Sequence, residues 1–192
     1  IAFPNHDISF VEINDIDSNN SGPGFSALQC KDHLLRPFYI MTVDCLLTSE
    51  LPYLDSNWLG LHNTSYPEKY STAELVDGKI TKFVNKAESG FDLAFIGLAG
   101  ILDYSIFWQQ LENNIKDGEI VNAFFNPSAY GELKGKELEW FDTGNIDDLE
   151  KARLHYKDKP LSLRKTTQEL TYHDNGKMIK YIPNPSDVLS LK

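Results

Sequence analysis

The sequence predicts an α/β fold with a mixed, mostly parallel sheet and a small β-hairpin appendage at its C-terminal end. Two apolar runs, residues 37–47 and 91–102, have the length and composition of buried strands. The second run is nearly continuous, as expected for a strand covered on both faces of a parallel sheet. Apolar positions recur at helical spacing over residues 105–116, which indicates a helix packed on that sheet. The 192 residues suffice for one such domain with an appendage.

Composition excludes several classes of protein. The formal net charge of −10 argues against a nucleic-acid-binding surface, which needs clustered Lys and Arg. No apolar run is long enough for a transmembrane helix, and no signal peptide is visible at the start. The two cysteines, Cys30 and Cys45, are expected to be reduced thiols in a cytoplasmic protein. Because the chain starts at Ile1, we expect that a further segment precedes it.

The first part of the chain contains a short predicted strand and a glycine-containing loop. Residues 7–13 alternate between apolar and polar, which is typical of a strand. The loop Ser21-Gly22-Pro23-Gly24 leads into a predicted helix over residues 25–35. Free N–H groups at such a helix start can contact an anion or a nucleotide. A plain turn is the alternative interpretation of Gly22 and Gly24.

The middle of the chain carries the clearest local signal. Residues 71–76 and 79–84 flank Asp77-Gly78, a dipeptide suited to a type I′ hairpin turn. Lys86 stands where the second arm ends, and it points either into a cleft or into water.

Residues 57–63 form another predicted strand. Within the 91–102 run, Gly97 indicates the close approach of a neighbouring segment or of a ligand.

The remaining elements set the predicted domain boundary. Residues 119–130 are predicted to be helix and then loop, and residues 137–141 to be the last strand of the domain. Asn145 can cap a helix that runs to about residue 156, with two aspartates in its first turn. The charged stretch 157–160 divides the chain into domains 1–157 and 158–192. The second contains a predicted hairpin, residues 169–173 and 177–182, which either packs on the first domain or begins another.

Two aspartates follow apolar strands and are candidates for one site. Asp44 lies near the end of the 37–47 run, and Asp142 follows Glu139-Trp140-Phe141. In open α/β sheets, ligands collect outside the carboxyl ends of the strands. Each Asp alone could equally start a turn or cap the next element. Together they favour a divalent cation held against a nucleotide.

The order of these parts resembles the nucleotidyltransferases that make activated sugars and related compounds, including the phosphocholine cytidylyltransferases. Four segments over about residues 1–155 carry the resemblance: residues 38–46 with Asp44, residues 80–86 (ITKFVNK), residues 94–97 (AFIG), and Trp140-Phe141-Asp142-Thr143-Gly144 leading into residues 149–152. The last segment is the most specific. The resemblance implies a three-layer, Rossmann-like nucleotidyltransferase fold.

It also implies a Mg²⁺-dependent transfer of a nucleotide from an NTP to a sugar 1-phosphate or another small phosphorylated acceptor such as phosphocholine. Asp44 and Asp142 would hold Mg²⁺, and Lys86 would contact the acceptor's phosphate. Gly22 and Gly24 would lie by the nucleobase. We add the strand glycine and the motif tryptophan, Gly97 and Trp140, as substrate contacts. The expected setting is cytoplasmic synthesis of nucleotide sugars or capsular polysaccharide, without nucleic acid or membrane as partner; a homo-oligomer is compatible with the sequence.

The sequence departs from this family in one respect. Members open with a glycine-rich loop, an Arg and a Pro-Lys-Pro-like segment that cradle the triphosphate, and residues 1–192 contain none of these. We interpret the loop as belonging to a preceding segment. The alternative is a domain without activity that senses a nucleotide or mediates assembly. Residues 163–181 resemble, more loosely, the junction into a kinase-like domain, with Lys180 in place of a strand lysine, so a bifunctional protein is a third hypothesis.

The sequence does not identify the nucleobase of the NTP or the acceptor. Trp58, Tyr66, Tyr70 and Trp140 could enclose a quaternary ammonium group by cation–π attraction. Equally, they could be ordinary aromatic residues of the core and its rim.

Overall fold

The strands of the first part of the chain form one six-stranded sheet and one two-stranded ribbon. In the computed structural model, residues 9–13, 21–86, 90–115, 117–157, 170–174 and 177–181 are described. The chain divides into two units, Ile1–Leu149 and Glu150–Lys192. The strands are β1 (Phe38–Met41), β2 (Cys45–Leu47), β3 (Asn57–Asn63), β4 (Ser71–Val76), β5 (Lys79–Asn85), β6 (Leu93–Ile101), β7 (Leu133–Glu137), β8 (Trp140–Asp142), β9 (Leu170–Asp174) and β10 (Lys177–Tyr181). The α-helices are α1 (Pro23–Gln29), α2 (Tyr104–Asn114) and α3 (Ile146–Tyr156), and 3₁₀ helices span Lys31–His33, Pro67–Lys69, Ile120–Phe124 and Pro127–Tyr130.

The six-stranded sheet has the order β1-β6-β3-β7-β5-β4, and β4 also pairs with β6. Five strands therefore close into a barrel-like ring, with β1 added to β6. The mixed α/β class is confirmed, but the mostly parallel, Rossmann-like sheet is wrong: among the described strands, β3 and β7 are the parallel pair, and the other pairs are antiparallel. Parallel neighbours need a long crossover, usually a helix. The connections between successive strands from β1 to β6 are too short, the longest being residues 48–56.

Strand β6 is the centre of this sheet, and Gly97 divides it. One edge of β6 pairs with β3 along its length, with a shift in register between Leu59 and Leu61. The other edge pairs first with β4, at Leu93 and Ala94, and then with β1, from Leu98 onward. Gly97 lies between these two partners with a φ of 79°. An irregular, left-handed residue at this point lets one strand serve two neighbours.

The two faces of the sheet carry two separate hydrophobic clusters. On one face, α2 packs Phe107, Trp108 and Leu111 against the strands, and the helix predicted for residues 105–116 is confirmed. On the other face lies a smaller cluster, made of Cys45, Trp58, Ile96, Leu98 and Leu138, with Leu47 and Trp140 packed against it. This second cluster supports the β2–β8 ribbon. Alternate residues of β3 and β6 point to opposite faces, which explains why both strands are buried.

The predicted hairpin and the predicted helix cap are confirmed. Strands β4 and β5 pair across Asp77-Gly78, whose φ values of 51° and 76° are the positive pair that a type I′ turn requires. The side chain of Asn145 accepts a hydrogen bond from the N–H of Asp148 at 2.9 Å, so it caps α3 as expected. Strand β3 has the predicted bounds.

Several predicted elements are divided or absent. The 37–47 run is two strands, β1 and β2, separated by a turn that contains Asp44. Its exposure also alternates, since Met41 and Val43 are exposed. Residues 9–13 form no strand, and the rest of the predicted strand lies outside the described residues. The helix predicted for 25–35 ends early and continues as a 3₁₀ helix, and the 119–130 region is two 3₁₀ helices.

The strand predicted for 137–141 is also divided, between β7 and β8. These two belong to different sheets because the chain leaves the main sheet after Glu137 and pairs with β2 instead. No helix in the described part of the chain has both the length and the apolar character needed to cross a membrane.

In the second unit, β9 and β10 pair antiparallel, with Leu170 opposite Tyr181. The predicted hairpin is therefore present, while its Asn-Gly turn lies outside the described residues. The domain boundary after residue 157 stays a prediction.

Candidate active site

Asp44 and Asp142, predicted from separate strands, lie side by side. Strands β2 and β8 pair antiparallel with Cys45 opposite Asp142, so Asp44 falls beside the end of β8. The two carboxylates converge over Gly144. A Cβ placed on Gly144 would lie 3.1 Å from Oδ1 of Asp142 and 3.1 Å from Oδ2 of Asp44. Oδ1 of Asp142 and Oδ2 of Asp44 are therefore separated by at most twice 3.1 Å.

Backbone hydrogen bonds hold the turn that carries Asp44. The N–H of Thr42 extends the β1–β6 pairing by donating to Gly97 at 2.9 Å, and the N–H of Cys45 closes a turn onto Thr42 at 3.2 Å. The carbonyl oxygen of Asp44 accepts from Thr143, from its N–H at 2.9 Å and from its hydroxyl at 3.0 Å. These bonds use only the backbone of Asp44, and the residue itself is exposed.

Asp142 is held differently, through its side chain. The N–H of Gly144 donates to Oδ1 at 2.9 Å, and the hydroxyl of Tyr70 donates to Oδ2 at 3.0 Å. Burial, the hydrogen bond to Asp142 and the nearby negative charges together raise the pKa of Tyr70 to about 12, with burial as the largest cause. The hydroxyl therefore keeps its proton near neutral pH and acts as a donor to the carboxylate.

The floor of the site is apolar. Cys45 is buried in the second hydrophobic cluster; it follows Asp44 in the chain and pairs with Asp142 across the β2–β8 ribbon. Burial and the charges of Asp44 and Asp142 together raise the pKa of the Cys45 thiol to about 11, with burial as the largest cause. A thiol in this state is a poor nucleophile, so Cys45 serves packing here.

The backbone of Lys86 is linked to this site by a hydrogen bond to Tyr70. Its φ of 50° turns the chain away from β5, and its N–H donates to the carbonyl of Tyr70 at 3.0 Å. The side chain of Lys86 is exposed. The residue after β5 is thus hydrogen-bonded directly to Tyr70, whose hydroxyl in turn binds Asp142.

Trp140 and Gly97 lie near the aspartates but have structural contacts of their own. The Trp140 ring meets the Tyr70 ring edge to face, with centroids 6.1 Å apart. A Cβ on Gly97 would collide with the side chain of Thr42. The neighbour that required a glycine at position 97 is therefore Thr42, and the substrate-contact roles of both residues stay predictions.

Gly22 and Gly24 pack on a different loop. The N–H of Gly24 donates to the carbonyl of Gly118 at 2.6 Å, and a Cβ on Gly22 would meet the same carbonyl. Glycine is needed at both positions because two backbones touch there. The predicted contact of this loop with a nucleobase stays a prediction, and the Gly24 N–H is already used.

The residues around Gly144 fit a magnesium ion. Mg²⁺ prefers oxygen ligands and is commonly bound through one or two carboxylates, with substrate phosphates and water completing the octahedron. Asp44 and Asp142 supply two carboxylates around a space that a single Cβ would fill. Among the described residues, no group of three or more His, Cys, Asp or Glu could hold a metal. This donor set fits an ion shared with a phosphorylated substrate, not one enclosed by protein.

Sequence reasoning gave Tyr70 only as an aromatic residue, and it missed the contacts of Thr143 and Gly144. The observed pairing of the β4–β5 hairpin, which includes a register shift, explains the position of Tyr70. Ser71 pairs with Asn85, so the residues just outside this pair, Tyr70 and Lys86, are neighbours. Thr143 and Gly144 belong to the W-x-D-T-G segment. They make their contacts with Asp44 and Asp142 because they form the turn after β8.

Comparison with solved structures shows related folds. A protein from Bacillus anthracis assigned as a glucose-1-phosphate thymidylyltransferase, in complex with sucrose, matches 73% of this chain and 63% of its own, with 17% identity and a TM-score of 0.63. A UTP-bound UGPase from Acinetobacter baumannii matches 74% of this chain and 58% of its own, with 16% identity and a TM-score of 0.61.

An inositol-1-phosphate CTP transferase from T. maritima matches 66% of this chain and 57% of its own, with 16% identity and a TM-score of 0.52. The chain therefore spans about three fifths of the length of these proteins. No protein-family model and no curated protein matches the sequence. At these identities the likeness shows the fold, and the chain shares that fold with nucleotidyltransferases.

Proposed function

We propose that this chain is the nucleotidyltransferase domain of an enzyme that transfers NMP from an NTP to a sugar 1-phosphate or another small phosphorylated acceptor. An acceptor phosphate oxygen attacks the α-phosphorus, a bond to that phosphorus forms, and the α–β bridging bond breaks to release pyrophosphate. The convergence of Asp44 and Asp142 over Gly144 carries this proposal. The shared fold with nucleotidyltransferases supports it.

Asp44 and Asp142 would hold the metal in this reaction. When bound, Mg²⁺ neutralises phosphate charge and orients the α-phosphate. Hydrogen bonds hold the backbone of Asp44 and the side chain of Asp142 in place for this role. Positioning and electrostatic stabilisation supply most of the catalysis in such a transfer.

The other residues would bind the substrates. Lys86, at the end of β5, would hold the acceptor's phosphate as a point charge. Gly22 and Gly24 would lie beside the nucleobase of the NTP. Trp140 would contact the acceptor beside the Tyr70 ring, an arrangement that suits a sugar face or a quaternary ammonium group such as that of phosphocholine.

The proposal is tested by thermal shift with ATP, CTP, GTP, UTP and dTTP, each with and without Mg²⁺. A ligand at about one hundred times its Kd adds about 2.7 kcal/mol to the free energy of unfolding. At roughly 2–4 °C per kcal/mol for a domain of this size, the expected Tm increase is several degrees. We expect a Mg²⁺-dependent increase with one nucleotide and its loss in Asp44→Asn and Asp142→Asn.

Asp32→Asn is the matched control, because Asp32 is an exposed carboxylate on the 3₁₀ helix after α1. It should retain the full increase. An increase that needs no Mg²⁺ and survives both aspartate substitutions would instead indicate a nucleotide-sensing module. No increase with any nucleotide contradicts nucleotide binding by this chain.

A further inference from the structure

Tyr70 lies where two parts of the candidate site meet. Its hydroxyl donates to Oδ2 of Asp142 at 3.0 Å, while its carbonyl accepts from the N–H of Lys86 at 3.0 Å. One residue thus contacts both a proposed metal ligand and the strand end that carries the proposed acceptor-binding lysine. Both bonds lie just beyond the β4–β5 pairing, which begins at Ser71 and Asn85.

The position of the hydroxyl is fixed from several sides. The N–H of Tyr70 donates to the carbonyl of Pro67 at 3.3 Å, which ends the 3₁₀ helix before β4. The ring packs edge to face on Trp140, which lies two residues before Asp142. A tyrosine has few rotatable bonds, so a ring held in this way delivers its hydroxyl to one place.

The hydrogen bonds on Asp142 leave room for an ion. Each carboxylate oxygen has two lone-pair sites. Oδ1 accepts one bond from Gly144 and Oδ2 accepts one from Tyr70, so each oxygen keeps one site. With both oxygens held, the carboxylate cannot rotate freely, and Oδ1 stays directed toward the space it shares with Asp44.

We propose that Tyr70 is a positioning residue of the metal site: its hydroxyl orients the Asp142 carboxylate, and its backbone ties that carboxylate to the strand end of Lys86. The inference rests on the proposed function, because it requires an ion between Asp44 and Asp142. Groups that hydrogen-bond to metal ligands contribute roughly 10–100-fold to metal affinity or activity in other proteins.

The test is Tyr70→Phe, which removes the hydroxyl and keeps the ring against Trp140. Tyr39→Phe is the matched control, because the Tyr39 hydroxyl also makes one hydrogen bond, to the carbonyl of Pro52 at 2.9 Å. Mn²⁺ replaces Mg²⁺ as the probe, and water-proton relaxation measures the bound ion, alone and with the NTP that gives the thermal shift. This readout needs no turnover.

We expect Tyr70→Phe to weaken Mn²⁺ binding roughly 10–100-fold and Tyr39→Phe to leave it unchanged. In an Asp142→Asn background, Tyr70→Phe should have no further effect, because the hydroxyl acts through that carboxylate. Circular dichroism should show that both variants fold.

Equal Mn²⁺ binding by the wild type, Tyr70→Phe and Tyr39→Phe overturns the positioning role and leaves the proposed function standing. An equal loss in both tyrosine variants also overturns it, since that loss would be structural. A wild-type chain that binds Mn²⁺ neither alone nor with any NTP contradicts the proposed function and the inference together.

Discussion

The hydroxyl and the N–H of Thr143 both donate to the carbonyl of Asp44, at 3.0 and 2.9 Å, although the two residues are 99 positions apart. This pair of bonds fastens the turn after β1 to the turn after β8. It brings two carboxylates from distant segments to one place without using either carboxylate. The geometry of the candidate site therefore depends on Thr143, whose hydroxyl and N–H both bind the Asp44 carbonyl.

Thr143→Val tests this fastening. The substitution keeps the shape of the side chain but removes one donor, which should lower the free energy of unfolding by about 1 kcal/mol. Urea denaturation measures that change. Mn²⁺ affinity should fall as well, because the Asp44 turn loses one of its two bonds to the Asp142 turn. Thr143→Ser is the control and should preserve both quantities; if Val and Ser behave alike, the hydroxyl does not position Asp44.

Gly144→Ala tests the space between the carboxylates. A methyl group there would lie 3.1 Å from an oxygen of each aspartate, closer than ordinary contact. We expect Tm to change little, since both carboxylates are at least partly exposed and can move aside. Mn²⁺ affinity should fall by at least tenfold, as measured by water-proton relaxation. Unchanged Mn²⁺ affinity would show that the ion does not bind over Gly144.

Gly97→Ala should destabilise the fold. Alanine at a φ of 79° costs about 1–2 kcal/mol, and its Cβ also meets the Thr42 side chain. Urea denaturation should therefore show a decrease in the free energy of unfolding that exceeds the cost of the positive φ alone. In a Thr42→Ala background the loss should shrink toward that cost, because the collision with the hydroxyl is gone. An identical loss in both backgrounds would mean that packing on Thr42 is not why residue 97 is a glycine.

Cys45 reports on the two aspartates in the metal-free protein. Its pKa is raised from 9.0 to about 11, first by burial and then by Asp44 and Asp142. The folded state therefore binds this proton more tightly than the unfolded state. The resulting stability is fully present below about pH 9 and is lost as the pH rises toward 11.

Thiol alkylation against pH, in a Cys30→Ser background with EDTA, measures this pKa. We expect Asp44→Asn to lower it, because one of the nearby negative charges is removed. No response to Asp44→Asn would contradict the proximity of that carboxylate to this thiol, and a pKa near 9 in the wild type would contradict the burial of the thiol as well.

Lys86→Asn tests the acceptor contact. Asparagine tolerates the positive φ at this position, so the turn should survive while the ammonium group is lost. A hydrogen bond to a charged group is worth about 1.5–3 kcal/mol, so KM for the acceptor should rise roughly 10–100-fold with NTP binding unchanged. Steady-state kinetics with glucose 1-phosphate and with phosphocholine measures this. Lys79→Gln, at the far end of the same hairpin, is the control; an equal effect there would remove Lys86 from the site.

Local signals in the sequence were reliable where one short segment decides the structure. Asp77-Gly78 requires two positive φ values, and the hairpin formed around it. Asn145 precedes a helix with acidic residues in its first turn, and it caps α3. The periodicity over residues 105–116 predicts α2 because one face of this helix is apolar, with Phe107, Trp108 and Leu111 buried.

Long-range pairing was not predictable. The continuous apolar composition of β6 predicts a strand of a parallel sheet, yet β6 pairs antiparallel with each of its neighbours and is buried by two hydrophobic clusters. Buried strands of either kind have the same composition. The sequence predicts Asp44 at the end of a strand, but Asp44 lies in a turn, because the pairing of β1 with β6 ends at Thr42 and the next strand, β2, pairs with β8.

The contact of Tyr70 with Lys86 also depends on a detail that a sequence does not show. The β4–β5 register shifts by one residue between Glu74 and Leu75. Counting back from the Asp77-Gly78 turn without this shift would place Tyr70 opposite Asn85 instead. A one-residue shift exchanges the two faces of a strand, so the site cannot be assembled from the hairpin signal alone.

The most direct test of the central claim is a Mn²⁺ titration of four proteins: the wild type, Asp44→Asn, Asp142→Asn and the double variant. If both carboxylates hold one ion, the wild type binds a single Mn²⁺, each single substitution weakens binding at least tenfold, and the double variant loses little more than the weaker single variant. Two independent, additive losses would mean two separate sites. Wild-type affinity in either single variant would show that Asp44 and Asp142 do not share a metal.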